Sequence, residues 1–202
     1  SMALQSSGRT PAPPPPQRDD APLLAAVAQA GAAAGPCVLL DLTENSVELR
    51  GYPSVQGPPA LALSLPMGTV RTAQQFFRGD IPTPLELEAA IAEVEEQVYS
   101  AHQQYRRVAA HWGAPVLWCS ASPAWAEMAV RAGVSAAQHA VLTMEVVERL
   151  FQRLAYVAEG RPAASEGLPA SSAFAAALLL LRELMHHIPF GALHLPMGTA
   201  RA

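Results

Sequence analysis

The sequence predicts a single mixed α/β domain in which helices pack on a five-stranded sheet. Three short β-type runs, at residues 37–42, 47–52 and 60–65, are separated by turn residues, and this pattern indicates an antiparallel meander. After Thr83 the apolar pattern becomes helical, and helices then alternate with short apolar strands. Because crossover helices must cover the faces of a sheet, this order predicts a mixed sheet with helices on it.

The N-terminal part is predicted to be a proline-rich leader followed by a helix. Residues 1–18 include a run of four prolines, and such a segment favours extended conformations that cannot build a packed core. We therefore predict a disordered leader at 1–18 and a folded domain at 19–202. The alanine-rich stretch 21–34 is predicted to be the first helix, ended by Gly35 and Pro36.

The longest helix is predicted from a capping signal and an apolar stripe. Thr83, Pro84 and Glu86 supply a cap, a proline at the first helical position and a glutamate that reaches back to the cap. Apolar residues then recur every three or four positions until about His111. The remaining predicted elements are a strand at 115–119, a helix at 124–132, a helix starting at Thr143, a loop at 160–169, a buried helix at 171–187 and a closing strand at 192–195.

Composition and charge disfavour two classes of partner. The 202-residue chain is 50% hydrophobic and 15% charged, with a net charge of −4. All thirteen basic residues are arginines scattered along the chain, so no basic stripe is available to neutralise a nucleic-acid backbone. No apolar run reaches the roughly 18 residues that a membrane helix requires, and no export signal is visible. The absence of lysine and the abundance of alanine and proline indicate a high-GC bacterial genome. Two cysteines in apolar segments fit a reducing compartment, so we predict a cytoplasmic protein.

Two cysteines and two adjacent histidines are the candidates for redox or metal chemistry in this sequence. Cys37 and Cys119 lie in apolar strand-like segments, where a buried free thiol is the common state. An expected offset of about four residues between their strands exceeds the reach of a disulfide. His186 and His187 point about 100° apart on a helix, and no third ligand is evident near them, so the sequence gives no reason to expect zinc.

The predicted sheet also indicates where a ligand would bind. In open α/β sheets, ligands sit beyond the carboxyl ends of the parallel strands. Here those ends are residues 41–46, after the first strand, and residues 120–122, after the strand that follows the long helix. We therefore expect any binding site to lie where these two segments meet.

Several local strings occur in an order that resembles one protein family. Residues 41–48 read D-L-T-E-N-S-V-E, where that family has D-x-G-G-G-S-x-E, and residues 64–71 read S-L-P-M-G-T-V-R, where it has S-L-P-x-G-x-V-R. Further matching strings occur at 120–126, 142–145 and 167–185. Together they resemble the second domain of the Ppx/GppA exopolyphosphatases and guanosine pentaphosphate phosphohydrolases, which belong to the actin and sugar-kinase superfamily.

The resemblance implies a fold, an activity and a set of site residues. It implies an actin-like or ribonuclease-H-like domain, and hydrolysis of polyphosphate or guanosine pentaphosphate in a cleft between two domains. Asp20 aligns with the family's proposed catalytic glutamate. Asp41 and Glu48 match carboxylates that hold a divalent cation, which would be Mg²⁺ if the chain is catalytic. The residues that match the phosphate-binding positions are Thr43, Glu44, Asn45, Ser46, Arg71, Ser120 and Ser122.

The phosphate loops depart from the family pattern. Glycines in such a loop let consecutive backbone N–H groups turn toward the anion. Thr43, Glu44 and Asn45 replace them, and Glu44 places a negative charge where phosphate would sit. Pro123, in the second loop, cannot donate a backbone hydrogen bond. Asp20 is one methylene shorter than the glutamate, which matters because a general base must come within hydrogen-bond reach of its proton.

These departures predict a non-catalytic or weakly active binding or assembly module. The family's first domain would precede residue 18, where this sequence has the leader, so a homodimer or a separate N-terminal lobe is expected to cover the cleft-facing surface. The expected ligand contains phosphate. The alternative is a phosphohydrolase that such a lobe completes. For single residues the alternatives are an Asp41 that accepts backbone N–H bonds at a strand end, a solvent-facing Glu48 and a surface Arg71.

One internal repeat has no assigned role. Residues 65–71, L-P-M-G-T-V-R, are echoed by residues 195–201, L-P-M-G-T-A-R. We interpret both as strand-to-turn segments with the same turn chemistry, and two segments that flank one site are the alternative.

Overall fold

A six-stranded mixed sheet forms the centre of the computed structural model, which describes residues 19–29, 35–113, 115–134, 139–188 and 190–196. In the sheet the strands follow the order β3-β2-β1-β4-β6-β5. They are β1 (Cys37–Leu42), β2 (Val47–Tyr52), β3 (Leu61–Leu65), β4 (Leu117–Ser120), β5 (Ala140–Thr143) and β6 (Ala192–Leu195).

The strand directions agree with a meander followed by crossovers. Strands β1, β2 and β3 pair antiparallel, whereas β1, β4 and β6 run parallel to one another. The carboxyl ends of β1 and β4 therefore meet at one edge of the sheet, as predicted. The helices are α1 (Ala21–Gln29), α2 (Thr69–Phe76), α3 (Pro84–Ala109), α4 (Pro123–Arg131), α5 (Met144–Ala158) and α6 (Ser172–His187), with a 3₁₀ turn at Ala163–Glu166.

Local signals place the starts of the long helices as predicted. Thr83 caps α3 through the amide of Glu86, and the Glu86 carboxylate accepts from the Thr83 amide in return, which completes the capping box. Thr143 caps α5 and Ser171 caps α6, each by one hydrogen bond that its side-chain oxygen accepts from the helix backbone. Helix α6 is apolar almost all round and buried, as its sequence predicts.

The two faces of the sheet bury cores of different size. The larger core packs α2, α3, α4, α5 and α6 against one face. On the other face, Leu23 and Val27 of α1 pack against Cys37, Leu39 and Tyr52. Helix α1 therefore covers the face that carries alternate residues of β1 and β2, and this position brings Asp20, just before α1, over the same face.

The structure corrects several predicted boundaries. It contains a sixth strand, β5, which pairs antiparallel with β6 at the sheet edge and immediately precedes α5. Strand β4 begins two residues later than predicted and ends one later, and α3 ends at Ala109 rather than near His111. The predicted leader, the predicted end of the first helix at 30–34 and the second repeat beyond residue 196 lie outside the described residues. No helix in the described ranges is long and apolar enough to cross a membrane.

The two cysteines are free, buried thiols, as predicted. Their predicted offset was wrong, because the register pairs Cys37 with Leu117 and Leu39 with Cys119, which leaves an offset of two residues. Burial, with a smaller effect of Asp20, raises the pKa of Cys37 to about 11. Burial, with a smaller effect of Cys37, raises the pKa of Cys119 to about 12.

We expect neither thiol to react with a thiol reagent in the folded chain at neutral pH, and both to react after unfolding, because only the thiolate is nucleophilic. The unfolded thiols ionise near pH 9.0, whereas the folded ones do not ionise until about pH 11. In that window the unfolded state binds fewer protons, so each thiol should lower the free energy of unfolding by about 1.4 kcal/mol per pH unit. Rapid labelling of the native chain at pH 7, measured by absorbance, would contradict this.

Candidate functional site

The ends of β1 and β4 are joined through two buried serines. The Leu42 amide donates to Ser122 Oγ at 2.8 Å, and the Ser122 amide donates to Ser120 Oγ at 3.0 Å. Ser120 is fully buried and Ser122 nearly so. The predicted meeting of the two segments is therefore present, and here these hydroxyls hold the strand ends together. Pro123 begins α4 immediately afterwards.

The loop between β1 and β2 turns its amides toward its own side chain. Thr43 Oγ1 accepts from the amides of Asn45 at 3.2 Å and Ser46 at 2.9 Å. The Thr43 amide donates to the Ser46 carbonyl at 2.9 Å. This is the local hydrogen bonding that threonine offers in a turn. Three amides of the predicted phosphate loop thus donate to acceptors inside the loop.

The carbonyls of the same loop cap the start of helix α2. The Thr69 amide donates to the Thr43 carbonyl at 3.1 Å, and the amides of Val70 and Arg71 donate to the Glu44 carbonyl at 3.0 and 2.9 Å. The first amides of a helix have no partner within the helix, and such groups often bind anions. In this chain they bind the loop instead, while the side chains of Glu44 and Arg71 are exposed.

A charged network lies on the sheet face beneath the start of α1. Arg50 on β2 donates to both oxygens of Asp20, from Nε and from Nη2, each at 2.6 Å. Its Nη2 also donates to Asp41 Oδ2 on β1. Tyr52 Oη donates to Asp20 Oδ2 at 2.6 Å. The side chains of Arg50, Asp20 and Asp41 are only 17%, 10% and 13% exposed, so the network is largely shielded from water.

This network fixes the charge states of its donors. Burial opposes the charged form of Arg50, but the hydrogen bonds and charges of Asp20 and Asp41 outweigh it, so the pKa of Arg50 is raised. Burial, helped by the hydrogen bond to Asp20, raises the pKa of Tyr52 to about 12. Arg50 therefore stays a cation and Tyr52 a neutral donor at physiological pH.

Glu48 lies opposite Asp41 in the register of β1 and β2. Its Oε1 accepts from the hydroxyls of Ser46 and Ser64, each at 3.0 Å, so it is hydrogen-bonded and half-buried rather than simply solvent-facing. Asp41 accepts from the Arg50 guanidinium. Among the described residues, the group of three donor atoms close enough to hold one ion includes neither Asp41 nor Glu48. Mg²⁺ is often held by one or two carboxylates together with waters, so the metal role of both residues stays a prediction.

Arg50 and Tyr52 are the residues that sequence reasoning missed. They follow Glu48 at intervals of two along β2, so all three side chains lie on one sheet face. That alternation was visible in the sequence. Their importance was not, because it depends on Asp20 reaching this face from the start of α1.

Known proteins resemble this chain in sequence pattern and in fold. The pattern of the Ppx/GppA phosphatase family matches residues 17–201. The Aquifex aeolicus Ppx/GppA phosphatase, type II variant, superimposes with a TM-score of 0.65 at 16% identity over 87% of this chain and 58% of that chain. An exopolyphosphatase from Cytophaga hutchinsonii superimposes with a TM-score of 0.60 at 14% identity over 88% of this chain and 59% of that chain. No curated protein gives a significant match.

These matches differ in what they establish. Identities of 14–16% establish a shared fold alone, and the chain spans less than two thirds of either solved relative. The fold class predicted from the sequence is thereby confirmed, with six strands in place of five. The family pattern, in contrast, covers almost the whole sequence and includes both strand-end segments described above. The chain belongs to the Ppx/GppA phosphatase family.

Proposed function

We propose that this chain is a degenerate member of the exopolyphosphatase-related family, acting as a binding or assembly module that does not hydrolyse phosphoanhydrides alone. The observation that carries the proposal is that the loop amides of Thr43, Asn45 and Ser46, and the first amides of α2, already donate to acceptors within the protein. A family-type phosphate site needs those donors turned outward.

An entering phosphate would have to break existing hydrogen bonds. The amides of Thr43, Asn45 and Ser46 donate to acceptors within the loop. The first amides of α2 donate to the carbonyls of that loop. Each intramolecular hydrogen bond contributes about 0.5–1.5 kcal/mol, so reorganising several of them offsets much of the energy of binding an anion. The Glu44 carboxylate adds repulsion of about 1–4 kcal/mol if the anion comes within about 4 Å.

The aligned catalytic carboxylate is also engaged. Both oxygens of Asp20 accept from Arg50, and one accepts from Tyr52 as well. A general base needs an accessible lone pair within about 2.6–3.2 Å of the proton that it removes. For Asp20 to serve as that base, it would have to leave a guanidinium and a phenol, and Arg50 would then face Asp41 alone.

We expect the purified chain to release no phosphate from polyphosphate or guanosine pentaphosphate in the presence of Mg²⁺, measured by colorimetric phosphate detection against a buffer blank. An active exopolyphosphatase serves as the positive control. Release that disappears in a folded Asp41→Asn variant would defeat the proposal, because that result requires a working site at the end of β1.

A second candidate is a phosphohydrolase that a separate N-terminal lobe completes. It is favoured by Asp41 and Glu48, which pair across β1 and β2 on the face that also holds Asp20. Under this candidate, chain purified from its native host would carry a second polypeptide and hydrolyse polyphosphate. Our proposal expects the chain purified from its host to remain inactive. This should hold whether light scattering shows it to be a homodimer or a complex with another protein.

The compartment and the ligand belong to the proposal as well. We place the module in the cytoplasm, because its two buried cysteines are free thiols, which suit a reducing environment. Any phosphate-containing ligand would contact the exposed side chain of Arg71 rather than a cradle of amides.

A further inference from the structure

Away from the candidate site, helices α3 and α6 bring together three side chains of types that bind metal ions. Glu95 lies on α3, and Glu183 and His187 lie four residues apart on α6, which places them on the same side of that helix. One donor atom from each lies within 4.8 Å of the other two. The sequence pattern drew attention to His187, but its neighbours in space come from a helix far upstream and from the preceding turn.

The separations between donor atoms suit a four-coordinate ion. Zinc binds carboxylate oxygen and histidine nitrogen at about 2.0–2.2 Å, and in a tetrahedral site this puts neighbouring donors about 3.3 Å apart. His187 Nε2 lies 3.1 Å from Glu183 Oε2 and 3.5 Å from Glu95 Oε1. An ion could therefore contact His187 and both carboxylates with small side-chain movements.

The surroundings hold one ligand in place and leave an excess of negative charge. The Glu183 side chain is only 2% exposed, and its Oε1 accepts from Arg182 Nη1 at 2.8 Å, so Oε2 is the oxygen that faces His187. Arg182 also pairs with Glu148. Glu183 and Glu148 thus share one guanidinium, and Glu95 adds a third carboxylate beside His187, so a divalent cation would offset the excess negative charge. A supporting contact of this kind orients ligands in known metal sites.

We propose that Glu95, Glu183 and His187 form a site for a divalent transition-metal ion of the Zn²⁺ type that links α3 to α6. A ligand set with one imidazole suits zinc better than Mg²⁺, which prefers oxygen ligands in octahedral geometry. Glu95 and His187 are 48% and 38% exposed, so the ion would be reached from solvent and a water would take the fourth position.

The test is a Zn²⁺ titration of the full chain after chelator treatment, followed by calorimetry and by the thermal midpoint, with Co²⁺ as a spectroscopic probe of tetrahedral coordination. We expect saturable binding and a rise in the midpoint with Zn²⁺, since an ion that binds only the folded state stabilises it. Glu95→Gln and His187→Gln should each weaken binding by at least about tenfold, the least that loss of even a supporting residue costs in metal affinity.

Matched controls separate this site from other histidines. Glu96→Gln changes the exposed neighbour of Glu95 on α3. His186→Gln changes the neighbour of His187 on α6, and the ring of His186 pairs with Glu148. Both controls should bind Zn²⁺ as the parent chain does. Zinc binding that is absent, or that Glu95→Gln and His187→Gln leave unchanged, would overturn the proposal. Because the test measures binding and stability, its result is independent of phosphate hydrolysis.

Discussion

Replacing Arg50 with alanine is expected to lower the free energy of unfolding by about 3 kcal/mol, near the lower end of the cost of breaking a buried ion pair. The substitution leaves Asp20 and Asp41, which are 10% and 13% exposed, without the cation that both contact. The two carboxylates would then repel each other on a face shielded by α1. Denaturant unfolding measured by circular dichroism gives the stability, and hydrogen exchange of the α1 amides should accelerate because Asp20 anchors the start of that helix.

Two further variants isolate the cause of this loss. Arg71→Ala removes an exposed arginine and should change the stability by no more than about 0.5 kcal/mol, as surface substitutions usually do. Combining Arg50→Met with Asp20→Asn and Asp41→Asn removes the charges of these three residues together, and it should recover most of the stability lost in Arg50→Ala. If Arg50→Ala is no more harmful than Arg71→Ala, the network does not hold α1 to the sheet.

The elements that the sequence predicted well are those specified by neighbouring residues. The capping box at Thr83 and Glu86 needs only four consecutive positions, and the structure contains it. The apolar run of β1 and the alternation of apolar and polar residues in β2 likewise define these strands without reference to the rest of the chain. The sequence did not predict strand β5, because its four residues form a strand through pairing with the distant β6. Its last residue, Thr143, is also the cap of α5.

The features of the candidate site were likewise predicted where they depend on the order of the strands and missed where they depend on distant contacts. The rule for strand ends predicted that the segments after β1 and β4 would meet, and the hydrogen bond from Leu42 to Ser122 joins them. The rule could not predict that Thr43 would satisfy the loop amides, because that depends on the turn conformation. Nor could it reveal the clamp of Arg50 on Asp20, since these residues meet only when α1 packs on the sheet. The segment 65–71 was hard to interpret for the same reason, because the role of Gly68 depends on its contact with the distant loop after β1.

Gly68 allows the loop after β1 to lie directly on the start of α2. Its φ of −164° is ordinary extended backbone, so the requirement for glycine comes from space and not from conformation. A Cβ at this position would lie 2.5 Å from the carbonyl carbon and oxygen of Glu44 and 2.6 Å from the amide nitrogen of Asn45. These are backbone atoms, which cannot rotate away as a side chain can. Relief would require the loop to separate from α2, which would break the hydrogen bonds from Val70 and Arg71 to Glu44.

Gly68→Ala should therefore destabilise the chain by about 3 kcal/mol, the upper part of the range for overpacking a dense site. Gly57→Ala is the matched control, because its Cβ would meet nothing within 4 Å, and its effect should stay within about 0.5 kcal/mol. Both are measured by denaturant unfolding, with hydrogen exchange of the Val70 and Arg71 amides as the local readout. Equal stabilities of the two variants would mean that the loop moves away from α2 at little cost. The first amides of α2, which donate to the loop carbonyls, would then be available to an anion after all, and the proposal of a closed phosphate site would fail.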